Sequence, residues 1–174
     1  MEQTTTSTLG PFTRGRADDR LEIADLIHRY AFHFDRNEPE LVAALFTEDA
    51  VIDYGPEFPP IIGRDTVADR ITPGLETIFA VSSHHISNVT VDFLGTDEAR
   101  AIADVYAWHR YVADSSKGEM WGQYHLDVRR TADRWRIAAM ILRVVATEGF
   151  HRDRMHPIGR RSPASAPNDA TTRD

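Results

Sequence analysis

The chain has no cysteine among its 174 residues, which removes disulfides, thiolate metal sites and cysteine nucleophiles together. Stability must therefore come from packing. No apolar run approaches the ~18 residues of a membrane span. The first residues, Met1 to Thr8, have neither the basic nor the apolar stretch of a secretory signal. A cytoplasmic protein is the expectation, so Asn88-Val89-Thr90, which matches a glycosylation acceptor, would never meet that machinery. Positive charge is in deficit, with 20 Lys and Arg against 27 Asp and Glu and a formal charge of −7. Such a surface repels phosphate backbones and anionic headgroups, and neither nucleic acid nor a membrane is an expected partner. Also missing are a Gly-x-Ser-x-Gly elbow, a glycine-rich phosphate loop, a dinucleotide fingerprint and a His-Glu-x-x-His pair. What remains is acid–base chemistry without a cofactor or a metal.

At 41% hydrophobic residues, the chain can bury one good core and is too short for two ordinary domains. Its ends are rich in Ser, Thr, Pro and Ala, and predict a disordered arm over 1–16 and a flexible tail over 151–174, around a single domain at 17–150. Leu21, Ile23, Ala24, Leu26, Ile27, Tyr30, Ala31 and Phe34 recur at helical spacing and predict a first helix ending near Asp35. Asn37 with Glu40 reads as a capping box, with Pro39 in the first turn, opening a second helix through Leu41, Val42, Leu45 and Phe46. Val51 to Tyr54 reads as a short strand, and Arg64 to Phe79 as a third helix broken near Pro73-Gly74. The period then changes. Segments 83–94, 99–112, 120–131 and 134–147 are β-rich and separated by turn residues, which predicts a four-stranded antiparallel meander and an α+β fold. The last strand is apolar on both faces, Trp135, Ile137, Ala139 and Ile141 on one, Ala138, Met140, Leu142 and Val144 on the other, and is expected to be covered on both.

Three features stand out as chemistry. Asp35 places a carboxylate where the helix dipole disfavours it; it caps the second helix or has another task, and Asn37 already fits the cap. His84 and His85 open a strand, so they point to opposite faces and cannot chelate one metal. By parity His84 goes with Ile86, Asn88 and Thr90 unless a bulge intervenes. A histidine there is either a hydrogen-bonded core group or a general base. Polar groups also lie among aromatics: Tyr30, Tyr54, Asp104 at like parity with Tyr106 and Trp108, and Arg143. Asp104 and Arg143 have two open readings, a structural pair or pocket groups.

Taken in order, Ile23-Ala24-Asp25-Leu26-Ile27-His28-Arg29-Tyr30, Asp35, Phe46-Thr47-Glu48-Asp49-Ala50, Gly63, His84-His85-Ile86-Ser87-Asn88 and Trp135-Arg136-Ile137 resemble the SnoaL-like branch of the nuclear-transport-factor-like superfamily over about residues 17–150. The resemblance implies a cone, a curved antiparallel sheet with three N-terminal helices enclosing a pocket, assembled as a homodimer or homotrimer through the sheet's outer face. Scytalone dehydratase, hexachlorocyclohexane dehydrochlorinase and bile-acid 7α-dehydratase are the most similar members. Carried over, their dyad falls on Asp35 and His84, and their substrate-facing tyrosine or lysine on Tyr30. Tyr54, Asp104, Trp108, Arg143, Phe34 and Asn88 are the expected substrate-binding residues, in a pocket also lined by Phe46, Tyr106 and Met140.

The expected function is a cofactor-independent lyase or isomerase, first of all a dehydratase, acting on a hydrophobic polycyclic, polyketide- or steroid-like molecule. Polyketide cyclisation and double-bond isomerisation are the nearest alternatives. A non-catalytic binding domain, or the small subunit of a ring-hydroxylating oxygenase, is the alternative of another class.

Overall fold

The computed structural model describes residues 16–132 and 134–158. The expected N-terminal arm, except Arg16, and residues 159–174 of the expected tail lie outside the described residues.

Helix α1, Ala17–Asp35, buries Ile23, Leu26, Ile27, Tyr30 and Ala31, one stripe at helical spacing. Leu21, expected on that stripe, is 69% exposed. The helix does not hand over to a capping box. Asn37 takes the left-handed conformation at φ 56, its N–H bonds to the Phe34 carbonyl and the Glu38 N–H reaches back to the His33 carbonyl. This pairing is a Schellman closure of α1, with Asn37 in the position that demands positive φ, one that asparagine tolerates well. The predicted cap is therefore corrected: Asn37 ends α1, and α2, Pro39–Ala43, starts behind Glu38 with no side-chain cap. Helix α2 is one turn shorter than expected because Phe46 already opens strand β1, Phe46–Asp53.

After the short strand β2, Ile61–Ile62, helix α3 runs Arg64–Pro73 and loosens into a π-helical turn over Gly74–Ile78. The predicted break at Pro73-Gly74 is thus a widening, and Phe79 belongs to the next strand. The expected meander follows as β3 Phe79–Phe93, β4 Glu98–Tyr111, β5 Lys117–Arg130 and β6 Trp135–Glu148. The sheet is larger than the meander. Its order is β2-β1-β6-β5-β4-β3, and β7, His156–Pro157, adds to β6. Both β1 and β7 run parallel to β6, so the curved, unclosed sheet is mixed rather than antiparallel throughout.

Curvature comes with bulges. Extra residues sit in β3 at Ala80, between Phe79 and Val81, and between Ser87 and Thr90, at Asn88 with φ 49, and in β6 at Ala138 and Val145. The bulges at Asn88 and Ala138 reverse which parity faces the core. His84 and Ile86 face inward before Asn88, and Val89, Val91 and Phe93 after it. In β6, Trp135 and Ile137 are buried before Ala138, and Met140, Leu142 and Val144 after it. The expectation is of cover on each side by a helix or another subunit; within the single chain β6 buries one face, and Val145 and Arg143 are exposed.

Candidate active site

The inward row of β4 is Ala99, Ala101, Ala103, Val105 and Ala107, ending in His109, all buried. These small side chains leave room for the larger inward residues of the neighbouring β5 and β6, Met120, Tyr124, Trp135 and Met140. The bulky Tyr106 and Trp108 take the convex side with Asp104. Asp104 accepts from Asn88 Nδ2 at 2.6 Å and Gln123 Nε2 at 2.8 Å, which hold its carboxyl below the usual range. Asn88, Asp104, Trp108 and Arg143, expected around the substrate, therefore lie on the outer face and are corrected out of the site. Tyr106, Phe46 and Met140 do not line the pocket either.

The other five expected residues are brought together. Both oxygens of Asp35 are taken by one residue across 49 positions: Oδ2 accepts the His84 backbone N–H at 2.7 Å, and Oδ1 pairs with His84 Nδ1 at 2.6 Å. Strand β3 thereby docks on the last turn of α1. Desolvation pushes the Asp35 carboxyl up, but the His84 hydrogen bonds and charge pull it below its ordinary value overall. The carboxylate is held ionised despite the unfavourable end of the helix dipole. The His84 side chain is 5% exposed, with Phe34 edge-on at 5.0 Å between ring centres. Its Nε2 has no protein hydrogen-bond partner among the described residues, and the ring borders a cavity of about 510 Å³.

Tyr30 and Tyr54 share a hydrogen bond of 2.7 Å between hydroxyls on the same cavity. Burial drives both phenols up, Tyr54 to about 12 and Tyr30 well above its ordinary value, and Tyr124, packed on Tyr30 at 5.4 Å, is raised as well. All three are neutral hydroxyl donors at ordinary pH. Apolar walls come from Phe34, Ile52, Phe79, Met120, Leu142 and Phe150.

The site also contains groups that the sequence reading missed. His109 stacks on Phe79 at 4.3 Å and faces His84 at 5.3 Å; burial lowers it to about 3, so the imidazole is neutral. Its buried Nδ1 has no partner. The alternation of small apolar residues with Arg100, Asp104 and Arg110 was the signal that His109, not Trp108, faces in. The remaining missed groups come from the segment after β6. Gly149, at φ 57, turns the chain where a Cβ would lie 2.6 Å from the Lys117 carbonyl oxygen. Phe150, His151 and Arg152 then line the cavity. Glu57 accepts the backbone N–H groups of Asp153 and Arg154, His156 Nε2 meets Asp53 Oδ2 at 2.9 Å, and the Ile158 N–H bonds to the Val144 carbonyl. Residues 151–158, expected as the start of a flexible tail, are docked in this way.

Among the described residues, no cluster of three or more His, Asp or Glu side chains is placed to hold a metal ion. No helix among them is long and apolar enough to cross a membrane.

Known structures share this architecture. A protein of Novosphingobium aromaticivorans provisionally named scytalone dehydratase is 34% identical, over 83% of this chain and 96% of that one, with a TM-score of 0.77. A second protein from that organism, provisionally named an aromatic ring hydroxylase, is 27% identical over 76% and 94%, at a TM-score of 0.71. A type 2 hexachlorocyclohexane dehydrochlorinase, 18% identical over 79% and 95% with a TM-score of 0.70, shares the fold. No curated protein matches. The profile of the SnoaL-like domain matches residues 15–141, and this chain belongs to the SnoaL-like domain family.

Proposed function

We propose that the protein is a cofactor-independent lyase, a dehydratase of hydrophobic polycyclic molecules of polyketide or steroid type, working through His84 and Asp35. The observation that carries this reading is the His84 ring, tied by Nδ1 to Asp35 at 2.6 Å while Nε2 is left to the cavity. A carboxylate on Nδ1 fixes the tautomer with Nε2 as acceptor and stabilises the imidazolium formed on proton abstraction. The names of the dehydratase-like and dehydrochlorinase relatives support an elimination.

In one turnover Nε2 takes a proton from the carbon beside a carbonyl. The electron pair of that C–H bond forms the new double bond as the neighbouring C–O bond breaks. The departing oxygen leaves as water on receiving the proton back from the imidazolium. The hydroxyl pair of Tyr30 and Tyr54, neutral because burial opposes the phenolate, donates to the carbonyl oxygen as negative charge develops there. Phe34 holds the imidazole edge-on, and a cavity of about 510 Å³ suits a fused-ring substrate. The convex face carries half-exposed Trp121 and Ile102, and is where copies of the chain would meet in a dimer or trimer.

The test is elimination from a panel of β-hydroxy polycyclic ketones, followed by enone absorbance, with deuterium exchange at the acidic carbon read by NMR. Asp35→Asn and His84→Ala should each lower turnover by roughly 10²- to 10⁴-fold, with little further loss in the double variant because the pair acts as a unit. A wild-type protein that binds such ketones with neither exchange nor elimination is a binding domain, and the proposal fails.

A further inference from the structure

The cavity's charge is at odds with that of the chain. Acidic residues outnumber basic ones by 27 to 20, yet among the described residues no aspartate or glutamate lines the cavity, and its permanently charged lining residues are Arg70 and Arg152. His109 does not add to them, since burial lowers its imidazole to about 3.

Neither arginine has a carboxylate partner among the described residues. Arg152 lies over the rings of Tyr54 and Phe58 at 5.5 and 5.1 Å from their centres, donates Nη1–H to the Tyr54 carbonyl at 3.2 Å, and has its Nε against His151 Nε2 at 3.3 Å. The acids nearest this segment are committed elsewhere, Glu57 to backbone N–H groups and Asp53 to His156 and the Gly55 N–H. Arg70, on α3, borders the same cavity from a different element and is exposed. With the cavity open, water solvates both guanidinium groups. A purely apolar molecule filling it would strip some of that water and return nothing. A ligand carrying a planar anion would return paired hydrogen bonds of matched geometry.

We infer that the substrate is an amphipathic acid, a hydrophobic ring system whose carboxylate is held at the cavity rim by Arg152 and Arg70. This rests on the cavity being the substrate site and makes the arginines specificity-determining, apart from the proton transfer at His84. The orientation follows, with the ring carbon to be deprotonated at His84 and the acid at the arginines.

Binding of a matched pair of fluorescent probes tests it: 1-pyrenebutyrate and its methyl ester, titrated into wild type and variants at low and high salt. The acid should bind roughly tenfold more tightly than the ester at low salt, and less so at high salt, as expected for partly exposed charge pairs. Arg152→Gln and Arg70→Gln should each reduce the preference several-fold, and Arg152→Lys, which keeps the charge but not the fork, should restore only part of it. Arg70, on α3, has no hydrogen bond or ion pair with the segment after β6 among the described residues, so its variant stays informative if Arg152→Gln loosens that segment. His84→Ala should keep the acid preference, so that loss of the dehydratase reading and loss of this one are read separately. Equal or tighter binding of the ester, a preference unchanged in both glutamine variants, a preference abolished by His84→Ala, or no binding of either probe would each overturn the inference.

Discussion

His109 makes acid pH a specific threat to this fold, and the size of the effect can be worked out. The imidazole is buried against Phe79 and lowered from 6.5 to about 3 by desolvation first, then by the neighbouring His84 and His151. Between those two values the unfolded chain binds a proton at this residue and the native chain does not. Stability therefore rises with pH across the window: the contribution is fully present above 6.5 and is lost as the pH falls toward 3. From about pH 7.5 to about pH 4.5, some two units of the window are crossed, an upper bound of about 3 kcal/mol at 1.36 kcal/mol per unit. Asp35, lowered overall, gives up its own contribution only below the ordinary carboxyl range and does not enter this window. The comparison is with His109→Phe, which keeps a ring to stack on Phe79 but cannot titrate. Urea unfolding followed by circular dichroism at both pH values should show the wild type losing at least about 1 kcal/mol more than the variant on acidification. Equal losses in the two proteins would refute the reasoning.

Three further outcomes are expected. Tyr30→Phe removes the 2.7 Å hydroxyl pair and leaves the Tyr54 hydroxyl buried without it, at about 1–2 kcal/mol in thermal unfolding. Gly122→Ala puts a Cβ 2.4 Å from the Arg143 carbonyl oxygen, a backbone atom that cannot swing away, and should cost about 2 kcal/mol or more, while Gly95→Ala, with nothing within 4 Å, should be silent in the same melts. If copies meet on the convex face, Trp121→Glu should shift the wild-type oligomer to monomer in sedimentation at micromolar protein, whereas a wild type already monomeric removes that interface.

The dyad was legible because both of its members are set by local period. Asp35 falls one residue past the apolar stripe of α1, and His84 lies in the regular stretch of β3 between its two register shifts, so helix spacing and strand parity each point the right way. Asn37 misled because asparagine serves both as an N-cap and in left-handed closure, and only the Glu38 to His33 backbone bond separates the two. Arg152 and His151 had no signal at all. They follow β6 in a stretch whose composition suits a tail, and their partners lie about a hundred positions earlier in the chain: Arg152 bonds to the Tyr54 carbonyl, while the adjoining Asp153, Arg154 and His156 meet Glu57 and Asp53.

The misplaced residues share one cause, which is that parity says which side chains are together but not which side is the inside. On β4 the aromatic row of Tyr106 and Trp108 looked like pocket lining, yet in this sheet the buried row of that strand is the alanine one, and it led to His109. On β6 the same ambiguity took another form. A strand that is apolar at both parities was expected to be covered twice, but the extra residue at Ala138 lets both rows serve one core in succession, Trp135 and Ile137 before it, Met140, Leu142 and Val144 after it. Arg143 is the residue that distinguishes the two explanations. A strand buried on both faces would have to hide its guanidinium at large desolvation cost, whereas a bulged strand leaves it in water between two buried neighbours, as it is here. A charged residue inside a doubly apolar strand is thus a sequence-level sign of a bulge upstream, and it assigns the outer face at the same time.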